Sequence, residues 1–158
     1  MPVSIPHDDL LALARSAREQ AHAPYSGFAV GAALLARDGR RFAGCNVENA
    51  AYGLCNCAER TALFAAIAAG CKPGDFAAIA VVADCDGPVS PCGACRQVLS
   101  ELCDADMPVL LANLRGDTAQ TSVAALLPGA FNLRIGSLAP VPESAATDDR
   151  PVDPRDQG

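Results

Sequence analysis

The sequence predicts an α/β fold, a three-layer α-β-α sandwich around a mixed sheet of about five strands. Three observations lead there. Segments with a helical apolar period alternate with short apolar runs in the order α-β-β-α-β-α-β-β. The run at 76–83 is apolar almost throughout, the pattern of a central strand covered on both faces. The 158 residues, 51% hydrophobic and 19% charged, suit one compact domain with a real core.

Residues 8 to about 22 carry Leu10, Leu11, Leu13, Ala14 and Ala17, with Arg15, Arg18 and Glu19 on other faces. This is an amphipathic helix with Asp8 or Asp9 as its N-cap. Ala23-Pro24-Tyr25-Ser26-Gly27 closes it with a turn. A strand over 28–36 follows, then an Asp38-Gly39 hairpin turn and a second strand over 40–47. Residues 48–56 read as a loop. The next helix covers 57–70, with Leu63, Phe64 and Ile67 at helical spacing among alanines and Gly70 closing it. After the strand at 76–83, a turn-rich loop at 84–89 leads to Ser90, an N-cap with Pro91 at the first helical position. That helix runs to about Leu102. Residues 109–112 form a short strand, Arg115-Gly116-Asp117 a turn, 118–121 a last strand and 123–127 a short helix. One domain therefore occupies 1–138. The acidic, proline-rich stretch at 139–158 has no apolar period and is expected to be a disordered tail.

The net charge is −6 and no basic patch stands out, which argues against a nucleic-acid partner. No apolar run is long enough to span a bilayer, so no membrane partner is expected. The first nine residues lack a signal peptide's basic head and apolar stretch, and a cytoplasmic location is expected. There, eight cysteines read as reduced thiols, metal ligands or catalysts rather than disulfides. With only His7 and His22 in the chain, a histidine-rich metal site is excluded almost by inventory.

Cys92 and Cys95, in Ser90-Pro91-Cys92-Gly93-Ala94-Cys95-Arg96-Gln97, lie three positions apart at a helix start and share a face. A helix N-terminus favours thiolates. The pair suits half of a zinc site, a thioredoxin-like redox pair, or two buried free cysteines. Cys57 and Glu59, at the start of the preceding helix, favour zinc. Three protein ligands leave a fourth position for water, the catalytic arrangement. A carboxylate two residues from a ligand is placed to handle that water's protons. Read alone, Glu59 is an ordinary first-turn glutamate. Cys55 would complete a closed, structural four-cysteine site but leave Glu59 without a purpose. Cys45, Cys71, Cys85 and Cys103 read as small apolar residues.

Cys57-Ala58-Glu59 followed by Pro91-Cys92-x-x-Cys95 resembles the zinc-dependent nucleoside and nucleobase deaminases. The words Pro24-Tyr25-Ser26-Gly27-Phe28-Ala29-Val30-Gly31-Ala32-Ala33, Asn46-Val47-Glu48-Asn49-Ala50 and Cys57-Ala58-Glu59-Arg60-Thr61-Ala62 narrow the match. With Ser90 to Gln97 they resemble small, homotetrameric cytidine deaminases of the three-cysteine type, from about residue 8 to 131. The resemblance implies a hydrolase acting on a cyclic amidine C–N bond. It would turn cytidine and 2′-deoxycytidine into uridine and 2′-deoxyuridine plus ammonia, in pyrimidine salvage. Cys57, Cys92 and Cys95 would hold one Zn2+ per subunit, and water activated there would attack C4 of the base. Glu59 would protonate N3 and then the departing amine. Asn46 and Glu48 would hold the ribose 3′-hydroxyl, and two polar groups one residue apart on an extended segment do point the same way. A solvated strand end is the plainer reading of that pair. Phe28 would pack on the pyrimidine, although a core residue is the default for a strand phenylalanine. Ala58 would join the substrate pocket. Ala50, Tyr52 and Phe131 resemble subunit-boundary contacts, leaving the site incomplete in a monomer.

Three thiolates on a divalent zinc leave the site net negative, which makes bound water harder to deprotonate. Arg60, beside Glu59, is the first candidate to withdraw that charge, and the resemblance implies the same. Arg96 is the second, with a surface position as its plain alternative. Other readings are a zinc aminohydrolase for another cytosine nucleoside (such as the blasticidin deaminases) or a free base, a structural-zinc module, and a thiol–disulfide oxidoreductase using Cys92 and Cys95.

Overall fold

Strands β1 (Val30–Ala36), β2 (Arg41–Cys45), β3 (Phe76–Ala83), β4 (Pro108–Asn113) and β5 (Thr118–Ser122) form one sheet in the order β2-β1-β3-β4-β5. The computed structural model describes residues 7–131, so the stretch at 139–158 lies outside the described residues. Neighbouring strands are antiparallel except β3 and β4, which are parallel and joined through helix α3 (Gly93–Leu102). Parallel neighbours need such a crossover. The mixed sheet is the predicted one.

Side chains alternate across β1, and the two sets enter two cores. Ala32 and Leu34 face helix α2 (Ala58–Ala68), α3 and the short α4 (Val123–Leu126). Ala33 and Leu35 face helix α1 (His7–Arg18) on the other side. This makes three layers. Strand β3 is buried on both faces, as its unbroken apolar run requires: Ile79 and Val81 go to one core, Ala78, Ala80 and Val82 to the other. Fully burying a valine or isoleucine such as Val81 or Ile79 contributes about 1.5–3 kcal/mol, and the alanines less.

Two helices seat on glycines of the sheet. A Cβ at Gly31 would lie 2.0 Å from the Ala14 carbonyl of α1. A Cβ at Gly44 would lie 2.3 Å from the Ala58 carbonyl and 2.5 Å from the Ala62 nitrogen of α2. The first turn of α2 therefore rests directly on β2.

Several ends differ from those expected. Helix α1 stops at Arg18, not near 22, because the amides of Glu19, Gln20 and Ala21 turn back to carbonyls three residues earlier. His22 then leaves to pair with the segment at Asn46 to Glu48. Asp8 and Asp9 sit inside the first turn, since His7 is already helical; they face the dipole but do not cap. Strand β1 begins at Val30, so Phe28 precedes it, and β2 ends at Cys45. The loop after β2 contains a short 3-10 turn, Tyr52–Leu54. Ser90 is not the cap of α3: Cys92 is, with Pro91 ahead of the helix. Cys57 holds the same N-cap position on α2.

Candidate active site

Both N-caps are cysteines, and the two helix starts meet. The Sγ atoms of Cys57, Cys92 and Cys95 all lie within 4.8 Å of one another, with 3.8 Å between Cys57 and Cys92. Neither cap sulfur makes a capping hydrogen bond to its own helix among the described residues, which leaves both free to face each other. Cys95 is buried, Cys57 half-buried and Cys92 exposed. Tetrahedral zinc with Zn–S bonds of ~2.3 Å sets its sulfurs roughly 3.8 Å apart, so the donor set fits that ion. Cys55 stays outside the cluster. Its sulfur accepts from the Asn49 amide at 3.2 Å, and among the described residues the cluster holds three sulfurs. The closed four-cysteine site is therefore not formed.

The sulfurs share charge unequally. A hydrogen bond from Cys95 holds the Cys57 thiol well below its ordinary range, to about 5, assisted by Arg60 and Cys92 against its burial. The same bond to Cys57, with burial, pushes Cys95 up. Arg60 Nη2 donates to Cys57 Sγ at 3.3 Å. Its Nε is buried with no hydrogen-bond partner among the described residues, a donor available to an electron-rich sulfur site. Arg96 does not reach the sulfurs; its guanidinium donates to Pro91, Ser90 and Leu126, which corrects its assignment as a charge-withdrawing group.

Glu59 lies one turn-start away and is only 4% exposed. Burial pushes its carboxyl above the ordinary range. It lines a cavity of about 300 Å3 together with Cys57, Cys92, Phe28, Asn46, Glu48 and Ala58. Residues 28, 46, 48 and 57–59 are thus brought to one place. A second cavity of about 360 Å3 shares Asn46, Glu48 and Cys57 and reaches Tyr25, Tyr52 and Arg60. Tyr52 is 76% exposed and stands edge-on to Tyr25, ring centroids 6.3 Å apart. Ala50 and Phe131, the latter 72% exposed, line neither cavity.

Asn46 and Glu48 do face the cavity, but they also bind the loop across it. Asn46 accepts from the Val30 amide at 2.8 Å and donates to the Phe28 carbonyl at 2.9 Å. Glu48 accepts from the amides of Tyr25 and Ser26 at 2.9 and 3.2 Å and from the Ser26 hydroxyl. These bonds, that hydroxyl first, hold the Glu48 carboxyl below the usual carboxylate range. The pair fixes the segment that presents Phe28, itself 43% exposed rather than a core residue. Ser26, which lines both cavities, was not singled out in the sequence; its signal was the turn before Phe28. Of the remaining cysteines, Cys71 and Cys103 are buried as expected, and burial pushes the Cys103 thiol up to about 12. Cys45 and Cys85 are only half-buried.

Residues 5–111 match the family model described as the cytidine and deoxycytidylate deaminase zinc-binding region. A cytidine deaminase from Sporosarcina psychrophila is 60% identical over 125 residues, 79% of this chain and 90% of that protein. The crystal structure of a cytidine deaminase from Burkholderia pseudomallei superposes with a TM-score of 0.78 at 62% identity, covering 79% of this chain and 98% of that one. A cytidine deaminase structure from Mycobacterium tuberculosis gives 0.68 at 38% identity, covering 82% and 99%.

Proposed function

The chain belongs to the cytidine and deoxycytidylate deaminase family, and from that premise we propose that it hydrolyses cytidine and 2′-deoxycytidine to uridine and 2′-deoxyuridine plus ammonia, in cytoplasmic pyrimidine salvage. One observation carries the reading. A buried carboxylate, Glu59, shares a cavity with a sulfur set that leaves a metal one open position. A thiol redox pair has no use for the third sulfur or for that carboxylate.

Cys57, Cys92 and Cys95 would hold one Zn2+ per subunit. Zinc bound there supplies hydroxide near neutral pH by lowering the pKa of water to ~7. Glu59 would accept one proton of the attacking water and deliver it to N3 of the base, where it stays, and would then carry the second proton, from the new C4 hydroxyl, to the departing amine, which leaves as ammonia. Its burial keeps bulk water from competing for the proton. Phe28 packs on the pyrimidine, and Ala58 leaves room at the pocket floor. Asn46 and Glu48 hold the ribose 3′-hydroxyl with the hydrogen-bonding capacity that the loop leaves over. Arg60 draws charge from Cys57. The exposed Tyr52 and Phe131, with Ala50, suit subunit boundaries, and the working unit in this reading is the homotetramer that the family resemblance implies. The catalytic domain is 1–138, and removing 139–158 leaves turnover intact.

The test is zinc content, ultraviolet-detected cytidine turnover and light-scattering mass on wild type and Glu59→Ala. Expected are one zinc per chain in both, a tetrameric mass, and a fall in turnover of about 10²–10⁴-fold or more in the variant. Turnover that survives Glu59→Ala removes the proposed proton carrier. Cytosine and blasticidin in the same assay separate the neighbouring substrate classes.

A further inference from the structure

The three ligand positions are not held equally well. Cys95 rides on α3, and Cys57 opens α2, which is seated on Gly44. Cys92 is the exposed ligand, and it follows Ser90 and Pro91, which belong to no helix or strand. Proline has no N–H, so the Pro91 carbonyl is that residue's only backbone handle. This carbonyl shares a rigid peptide plane with the Cys92 nitrogen. Whatever fixes the carbonyl fixes the entry into Cys92.

Arg96 is that fixture. Its Nε donates to the Pro91 carbonyl at 2.7 Å and its Nη2 to the Ser90 hydroxyl at 2.8 Å. Its Nη1 donates to the Leu126 carbonyl, at the end of α4, at 2.9 Å. One planar guanidinium thus ties the approach to Cys92 to the end of α4, 30 residues beyond Arg96 itself. We propose that Arg96 is a positioning residue for the metal centre: it holds Cys92 opposite Cys57 by bracing the Ser90-Pro91 segment against α4. The inference rests on the zinc reading above and adds a residue that touches neither sulfur nor substrate. A ligand held in place before the metal arrives loses less freedom on binding, so the brace acts on affinity.

The test uses full-length wild type, Arg96→Gln and Arg96→Lys. Zinc affinity is measured by competition with a chromophoric chelator. The thiolate-to-cobalt charge-transfer band of the Co2+-substituted protein is recorded, and the metal-free melting temperature is followed separately. Arg96→Gln is expected to bind zinc about 10–100-fold more weakly and to show a weakened band. Arg96→Lys should restore part of both, because one ammonium cannot span the same three acceptors in a fixed fork. If Arg96→Gln keeps wild-type affinity or a wild-type band, the inference is overturned, whatever its melting temperature. Should Arg96→Gln fail to fold, Arg96→Lys carries the same two readouts. A wild-type chain that takes up no zinc would sink the zinc reading itself, and this inference with it.

Discussion

Arg60 gives one donor to Cys57 and leaves another buried without a partner among the described residues. With an anionic metal–sulfur centre beside it, both donors acquire a use, and removing them concentrates charge on the sulfurs. Arg60→Gln is expected to keep the fold and the zinc while turnover drops about 10–100-fold; wild-type turnover with zinc still bound refutes the role. Glu48 makes a different kind of prediction. Its folded pKa is lowered, so its contribution is present above the ordinary carboxylate value of ~4.3 and is lost as pH falls through the depressed one. In acid, the melting temperature of wild type should fall more steeply than that of Glu48→Gln, and parallel curves would show that the carboxylate does not tie the loop. Cys57, Glu59, Cys92 and Cys95 were readable in the sequence because thiols and a carboxylate at helix starts are chemically specific and locally spaced. Ser26 and Arg96 were not, because their roles depend on partners 22 and 30 residues away.

The site's geometry is set where helices begin. Apolar periods predict α1, α2 and α3 as helices but say little about their ends. Ser90-Pro91 carries the composition of a helix start, yet the chain delays α3 so that Cys92 takes the cap position and faces α2. Gly44 is the matching device on β2. Gly44→Ala would place a methyl 2.3 Å from the Ala58 carbonyl, and backbone cannot step aside as a flexible side chain can. The expected result is a loss of about 1–3 kcal/mol in unfolding free energy, with weakened zinc binding as α2 lifts. Gly53→Ala, where nothing lies within 4 Å, is the control and should match wild type in both. Equal behaviour of the two variants in chelator competition and denaturant melts would show that α2 does not depend on its seat.

The three layers and the mixed sheet follow from the order of periodic segments, whereas strand order does not. That β1 lies between β2 and β3, with β3 and β4 parallel, emerges only when two cores are packed against opposite faces. Exposure also escapes a linear reading: Phe28, for which a core place is the default in sequence, stands 43% exposed in the fold. The meeting of the two caps has a cost for the protein in storage. Cys57 and Cys92, 35 residues apart in sequence, need to close only from 3.8 Å to ~2.05 Å to be cross-linked. A chain stripped by a chelator and exposed to hydrogen peroxide should therefore lose two hydrogens to the peroxide, which leaves as water, and form a Cys57–Cys92 disulfide. Mass spectrometry under non-reducing conditions would find it, and zinc-loaded protein treated alike should stay reduced. Equal oxidation of both forms would show that the metal gives no protection. Ageing without metal then becomes a covalent event, reversible by a thiol reductant followed by fresh zinc.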